Sequence, residues 1–140
     1  MGRMDDVINI AGHRLSTGAM EEVIATHTSV AECAVFGTDD QLKGQLPVGL
    51  VVLKAGVEQD TETLKTDLVK MIRNQIGPIA CYKETSIVAR LPKTRSGKIL
   101  RGTMRAIANG KEYRMPSTID DPTVLDEITE SLKTMGYPKK

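Results

Sequence analysis

The order of apolar patterns predicts an α+β fold, a small three-stranded sheet covered by helices and preceded by a two-stranded hairpin. Three observations carry this. Two β-rich apolar runs, Val30–Gly37 and Leu46–Leu53, are joined by nothing but a polar stretch over 38–45, so they should lie side by side. Stripes of helical period stand on either side of that pair. A third run, Thr85–Leu91, alternates Ile87, Ala89 and Leu91 as a half-buried strand does.

Taken in order, Val7–Leu15 holds two short apolar runs split by Ala11 and Gly12, which reads as the hairpin. From Thr17, a plausible cap, the pattern changes to Met20, Val23, Ile24 and His27, the stripe of a first helix. Asp60 or Thr61 caps a second helix with Leu64, Leu68, Met71, Ile72 and Ile76 on its apolar face, stopped by Gly77 and Pro78. After the third strand a polar loop, Pro92–Lys98 (PKTRSGK), leads into a helix with Leu100, Met104 and Ile107 on one side. A final helix begins at Pro122 and aligns Val124, Leu125, Ile128, Leu132 and Met135, making 118–140 a helical tail. No Pro/Gly/Ser-rich linker divides the chain, so 1–140 reads as a single domain.

Composition narrows the function. The 140 residues carry a net charge of +1 and 40% apolar side chains, which excludes a disordered tail and gives no charge-based reason to expect nucleic acid or a membrane surface as a partner. No long apolar run exists, and charges interrupt the first twenty residues where a signal peptide needs its apolar core, so an intracellular location, cytoplasmic or mitochondrial matrix, is expected. Cys33 and Cys81 lie in apolar stretches and read as buried thiols. With His13 and His27 they show no ligand spacing, so no metal site is expected.

The Pro92–Lys98 loop resembles the end of a phosphate-binding P-loop, but Pro92 stands where the first glycine is required and Ile99 where Ser or Thr must follow the lysine. What remains is Lys98 in a Gly-containing loop, with Lys93, Arg95, Arg101 and Arg105 nearby. This is either a solvated basic surface or a cationic arm reaching an anionic centre built by another domain. Asp5 and Asp6, beside Arg3 and Arg14, read first as a charged entry to the hairpin; without a third acid or a histidine they make a poor metal or acid–base site. Gly12 inside a strand pattern implies a positive-φ turn or close approach of another group to the backbone. His27 reads as a core or edge histidine and the scattered methionines as core filling.

Three segments together, GRMDDVINIAGHRLSTGAMEEVI, IRNQIGPIA and LPKTRSGKILR, resemble the C-terminal domain of the AMP-forming acyl-CoA synthetases, in wording closest to the acetyl-CoA and propionyl-CoA synthetase branch. The resemblance runs from Gly2 to about Ser117, and GKEYRMPSTIDDP leans towards the propionyl-CoA enzymes. It implies a role for each matching residue: Lys98 as the catalytic lysine of adenylation, Asp5 as the hinge, Arg3 and Arg14 at ATP phosphates, Gly12 beside the passing pantetheine of CoA, and Arg73 near the CoA nucleotide. It implies ATP with Mg2+, held mainly by a large N-terminal domain that this sequence does not contain, together with CoA and a small carboxylate such as acetate or propionate. It also implies that Lys98 is a target of reversible acylation, which would make a protein acyltransferase and deacylase partners. On that reading the chain is an excised piece of a ligase, inactive by itself. Two other classes stay open: a stand-alone CoA- or nucleotide-binding module, and a regulatory module acylated at the loop lysine.

Overall fold

The computed structural model describes residues 7–10, 12–40, 44–58, 60–77, 82, 84–113 and 117–137. Strands β1 (Val7–Ile10) and β2 (His13–Ser16) form the expected hairpin, and α1 (Thr17–Ala25) follows directly. Its cap is Ser16 rather than Thr17: Ser16 Oγ accepts the Ala19 N–H at 3.1 Å, while Thr17 is fully buried. Next come β3 (Val30–Asp40), β4 (Gly44–Leu53), α2 (Thr61–Gln75), β5 (Glu84–Ile87), α3 (Arg101–Ala108) and α4 (Thr123–Thr134). Asp60 caps α2, its Oδ2 accepting the Thr63 N–H at 3.0 Å.

The α+β class holds, but the sheet has five strands and not three. Its order is β2-β1-β4-β3, with β5 added to β4. An isolated hairpin could not cover Ile8 and Ile10, which are fully buried in the core shared with α1 and α2, and β1 reaches β4 through Ile10 opposite Gly44. β3 and β4 pair antiparallel over almost their whole length, and the segment expected to be a loop is mostly ladder: Thr38, Asp39 and Asp40 pair with Leu46, Gln45 and Gly44. Polar side chains do not prevent a strand when the backbone groups find partners. β5 is shorter than its alternation implied. It pairs parallel with β4 from Val48–Glu84 to Val51–Ile87, and Val88 N–H still donates to Val51 O at 2.8 Å.

The two-residue period of β3 sorts its side chains to opposite layers. Cys33 and Val35 join Met20, Val23, Ile24, Leu64, Leu68 and Ile72 under α1 and α2. Ala34 and Phe36 join Met104, Leu125, Ile128 and Leu132 under α3 and α4. The central β3–β4 pair is therefore buried on both faces. His27 ties α1 to α2 from the edge of the first layer: Ser29 N–H donates to Nδ1 at 3.1 Å, which leaves the ring proton on Nε2, facing Asp67 Oδ2 at 3.1 Å. Cys33 is buried as expected; Cys81 lies outside the described residues.

Gly49 lies under the ring of Tyr82, and burial raises the phenol's pKa even though its oxygen accepts the Thr85 hydroxyl at 2.5 Å. A Cβ at Gly49 would overlap the Tyr82 hydroxyl and stand 2.9 Å from Cζ. Gly49→Ala should therefore destabilise the domain by about 1–3 kcal/mol, as overpacking does. Urea denaturation should show a lower midpoint with an unchanged slope, and an additional Tyr82→Phe substitution should recover part of the loss.

Candidate functional site

The loop between β5 and α3 folds as a small hairpin. Leu100 N–H donates to Pro92 O at 2.9 Å and Thr94 N–H to Lys98 O at 2.8 Å, while Gly97 N–H turns back to Thr94 O at 2.9 Å. Thr94 Oγ1 accepts the Lys98 N–H at 3.1 Å and lies 2.9 Å from Ser96 Oγ, so the threonine hydroxyl braces the tip from inside. Gly97 has φ +92°, which L side chains rarely adopt, and a Cβ there would meet nothing within 4 Å. The glycine is needed for its torsion. Lys98 follows it, exposed, and its ammonium has no partner among the described residues.

The cations around Lys98 divide into two kinds. Lys93 pairs with Glu32 on β3. Arg101 makes a two-point contact with Glu21 on α1, Nε to Oε2 at 2.7 Å and Nη2 to Oε1 at 2.5 Å, with both side chains about 15% exposed. Glu21 Oε2 also accepts the Val35 N–H of β3 at 2.8 Å. Lys93 and Arg101, at the two ends of the loop, are thus structural anchors, while Arg95 and Lys98 at the tip stay exposed. Nothing in the sequence marks this division, because Glu21 and Arg101 are 80 positions apart.

On the other side of the loop, Thr94 bridges antiparallel to Ile119. The next turn is held by Arg90, which reaches Asp121 Oδ2 at 2.8 Å, Glu127 Oε2 at 2.6 Å and Thr123 Oγ1 at 3.2 Å. Hydrogen bonds from Thr123 hold the Asp121 carboxyl below its ordinary pKa, and the Arg90 guanidinium does the same for Glu127.

The other expected site residues are dispersed. Gly12 turns the β1–β2 hairpin at φ +85°, and a Cβ there would meet nothing within 4 Å, so its backbone is bare to the surroundings. Arg14 is exposed two residues on, opposite Asn9. Arg73 stands exposed in the last turn of α2, where a cation complements the helix dipole. Arg3 and Asp5 lie outside the described residues. Gly12 and Lys98 belong to opposite ends of the central strand pair. The lysine loop is tied to Glu32 near the start of β3; the β1–β2 turn follows Ile10, which pairs with Gly44 opposite Asp40 at its end. Roughly 25 Å of extended strand separates Glu32 from Asp40.

Residues 19–98 match the model of the AMP-binding enzyme C-terminal domain, and the chain belongs to that family. It is 49% identical over its full length to acyl-CoA synthetase short-chain family member B, mitochondrial, of Dictyostelium discoideum, and covers 21% of that protein. To the mouse acyl-CoA synthetase short-chain family member 3, mitochondrial, it is 50% identical over 95% of its own length and 20% of the relative's. Among solved structures, the crystal structure of Brucella canis acyl-CoA synthetase superposes with a TM-score of 0.67 at 35% identity, over 75% of this chain and 19% of that one. The chain thus spans about a fifth of the length of the curated relatives it matches. No helix among the described residues is long and apolar enough to cross a membrane.

Removing one member of the Glu21–Arg101 pair takes the two-point, oppositely charged contact away from a largely buried charge, at a cost of about 3–5 kcal/mol. Arg101→Ala and Glu21→Ala should each lower the midpoint of chemical denaturation accordingly. The double variant should lose clearly less than the sum of the two, because both act on one contact.

Proposed function

We propose that the chain serves as the C-terminal domain of an AMP-forming short-chain acyl-CoA synthetase acting on acetate or propionate, with Lys98 presented to ATP and the Gly12 turn presented to CoA. Carrying this reading is the placement of an unpaired ammonium and a bare glycine backbone at opposite ends of one rigid strand pair. The names of the relatives, short-chain acyl-CoA synthetases and an acetyl-coenzyme A synthetase, support the reaction class. The lean towards propionate rests on the tail segment Gly110–Pro122 (GKEYRMPSTIDDP).

Adenylation brings a carboxylate onto the α-phosphorus of ATP, so two anions approach and negative charge builds on the shared oxygens. A lysine held by a braced loop offsets that charge, and it needs no rearrangement at the moment of reaction. Mg2+ and most ATP contacts belong to the N-terminal domain of the complete enzyme, with Arg3 assisting at the phosphates; Arg14, on the hairpin at the far end from Lys98, reaches a phosphate in the pose that presents Gly12. Thioester formation then requires the CoA thiol to reach the acyl-adenylate, and a lysine arm in the site would obstruct it. Rotation of the domain about Asp5 withdraws Lys98 and brings in Gly12, along which the pantetheine passes while Arg73 meets the CoA nucleotide. Acylation of Lys98 by a protein acyltransferase would remove its charge and stop the first step alone. The location is cytoplasmic or the mitochondrial matrix, and the word mitochondrial in the names of two relatives supports the second compartment.

In the complete enzyme, Lys98→Ala should lower ATP–pyrophosphate exchange on the order of 10² to 10³-fold, while a supplied acyl-adenylate still forms its CoA thioester. Equal losses in the two half-reactions would overturn the assignment.

Gly12 has a torsional reason to be glycine, so its role towards CoA must be separated from its turn. Asparagine tolerates positive φ, and Gly12→Asn should keep the hairpin and the adenylation rate. Its side chain would stand in the path assigned to pantetheine, so thioester formation should fall by roughly tenfold or more. Unchanged thioester formation would leave Gly12 with its turn alone.

A further inference from the structure

Residues 118–121 lie beyond the 19–98 stretch matched by the family model, yet they are joined to the lysine loop itself. Arg95 N–H donates to Thr118 O at 2.9 Å and Asp120 N–H donates to Lys93 O at 2.8 Å, on either side of the Thr94–Ile119 bridge. Lys93 meanwhile bridges Ile99 across the hairpin. Residues 93–95 are thus the middle of a three-stranded ribbon with Lys98 at its tip.

A two-stranded hairpin of this size has little stability alone, and a third strand fixes its tilt. That strand is held in place at both levels. Ile119 is buried in the core with Met104, Leu125 and Ile128. Asp121, just beyond it, is bound by Arg90. Loosening 118–121 would leave Arg95 N–H and Lys93 O without these partners, and would free the ribbon to swing about its anchors at Glu32 and Glu21.

We infer that Thr118–Asp121 is a positioning strap for Lys98, fastened to the body by Arg90, so that the tail takes part in the adenylation half-reaction. This rests on the assignment of Lys98 to adenylation. The strap touches no substrate; it sets where the ammonium stands, and displacement of such a group by about 1 Å can cost up to about 10²-fold in rate.

The test uses the complete enzyme and both half-reactions. Asp120→Pro removes the N–H that Lys93 O accepts, and an extended residue 119 is compatible with a following proline. Asp120→Ala keeps that N–H and alters only an exposed side chain. Asp120→Pro should lower ATP–pyrophosphate exchange about tenfold with thioester formation from supplied acyl-adenylate unchanged, the equivalent of one lost hydrogen bond. Asp120→Ala should match the parent in both assays. In a Lys98→Ala background, Asp120→Pro should produce no further loss of exchange, since the strap acts through the lysine.

Equal losses in the two half-reactions, or exchange at the parent rate, would overturn the strap. Should Asp120→Pro yield no folded enzyme, Arg90→Ala decides the matter: it cuts only exposed contacts, the ion pairs to Asp121 and Glu127 and the hydrogen bond to Thr123, and a loss of about threefold confined to exchange is expected, with no loss overturning the inference. Retained exchange in Lys98→Ala by itself would overturn the lysine assignment on which the strap depends. Loss in Lys98→Ala with none in Asp120→Pro would leave that assignment standing and remove the strap.

Discussion

The carboxylate of Glu21 joins three elements, α1, β3 and α3, at a single point, over and above the apolar packing between them. It projects from α1, accepts a backbone N–H from the middle of β3 and grips the first residue of α3 at two points. A fully apolar contact of the same volume could be as stable, but it would not fix direction as a planar fork on a carboxylate does. Since Arg101 lies three residues after Lys98, the orientation of α1 is carried directly into the base of the loop. The same carboxylate affects its neighbour Cys33. That thiol donates to Glu21 O at 3.4 Å, and burial, reinforced by the Glu21 charge, pushes its pKa up to about 12. It therefore stays a neutral packing group.

β3 would otherwise present an open sheet edge, since β4 occupies only one of its sides. The molecule uses that edge instead of leaving it exposed. Val35 N–H is taken by Glu21 and Asp39 N–H by Asn109 Oδ1 at 2.8 Å, so α1 and the end of α3 cover the strand through side-chain acceptors. Glu32 adds the salt bridge to Lys93. Polar ties from β3 to the lysine loop, through Glu32 and through Val35 by way of Glu21, add to the packing of Ile99 and Leu100 on the core that holds Ala34 and Phe36, which makes the longest strand the ruler against which the loop is set.

Around the loop, charge is divided by burial and not by composition. Arg101 sits in a mostly buried pair, Lys93 in a half-exposed one, and Lys98 in neither. On the proposed role Lys98 acts outside its own domain, which an internal partner would prevent, and the pairing of its neighbours takes two unpaired positive charges from the base of the loop. The glycine before it serves torsion, the threonine inside the turn serves rigidity, and the tail adds a third strand.

The sequence by itself determined the α+β class, the amphipathic faces of α1, α2 and α4, a cap for α2 at Asp60 or Thr61, the turn at Gly12 and the presence of a Gly-containing lysine loop between a strand and a helix. Each is a local property, set by periodicity, capping chemistry or the torsional freedom of glycine within a few residues. Only the tertiary structure decided that the hairpin joins the sheet to make five strands, that polar residues 38–40 continue β3, and that β5 stops at Ile87. It also decided which cations of PKTRSGKILR are anchors, and that the segment around Ile119 forms part of the loop's ribbon. Those outcomes depend on partners that are remote in sequence, such as Glu21 with Arg101 or Gly49 with Tyr82. Such pairings are fixed by packing and hydrogen-bond completion once the sheet has formed, and no local spacing encodes them.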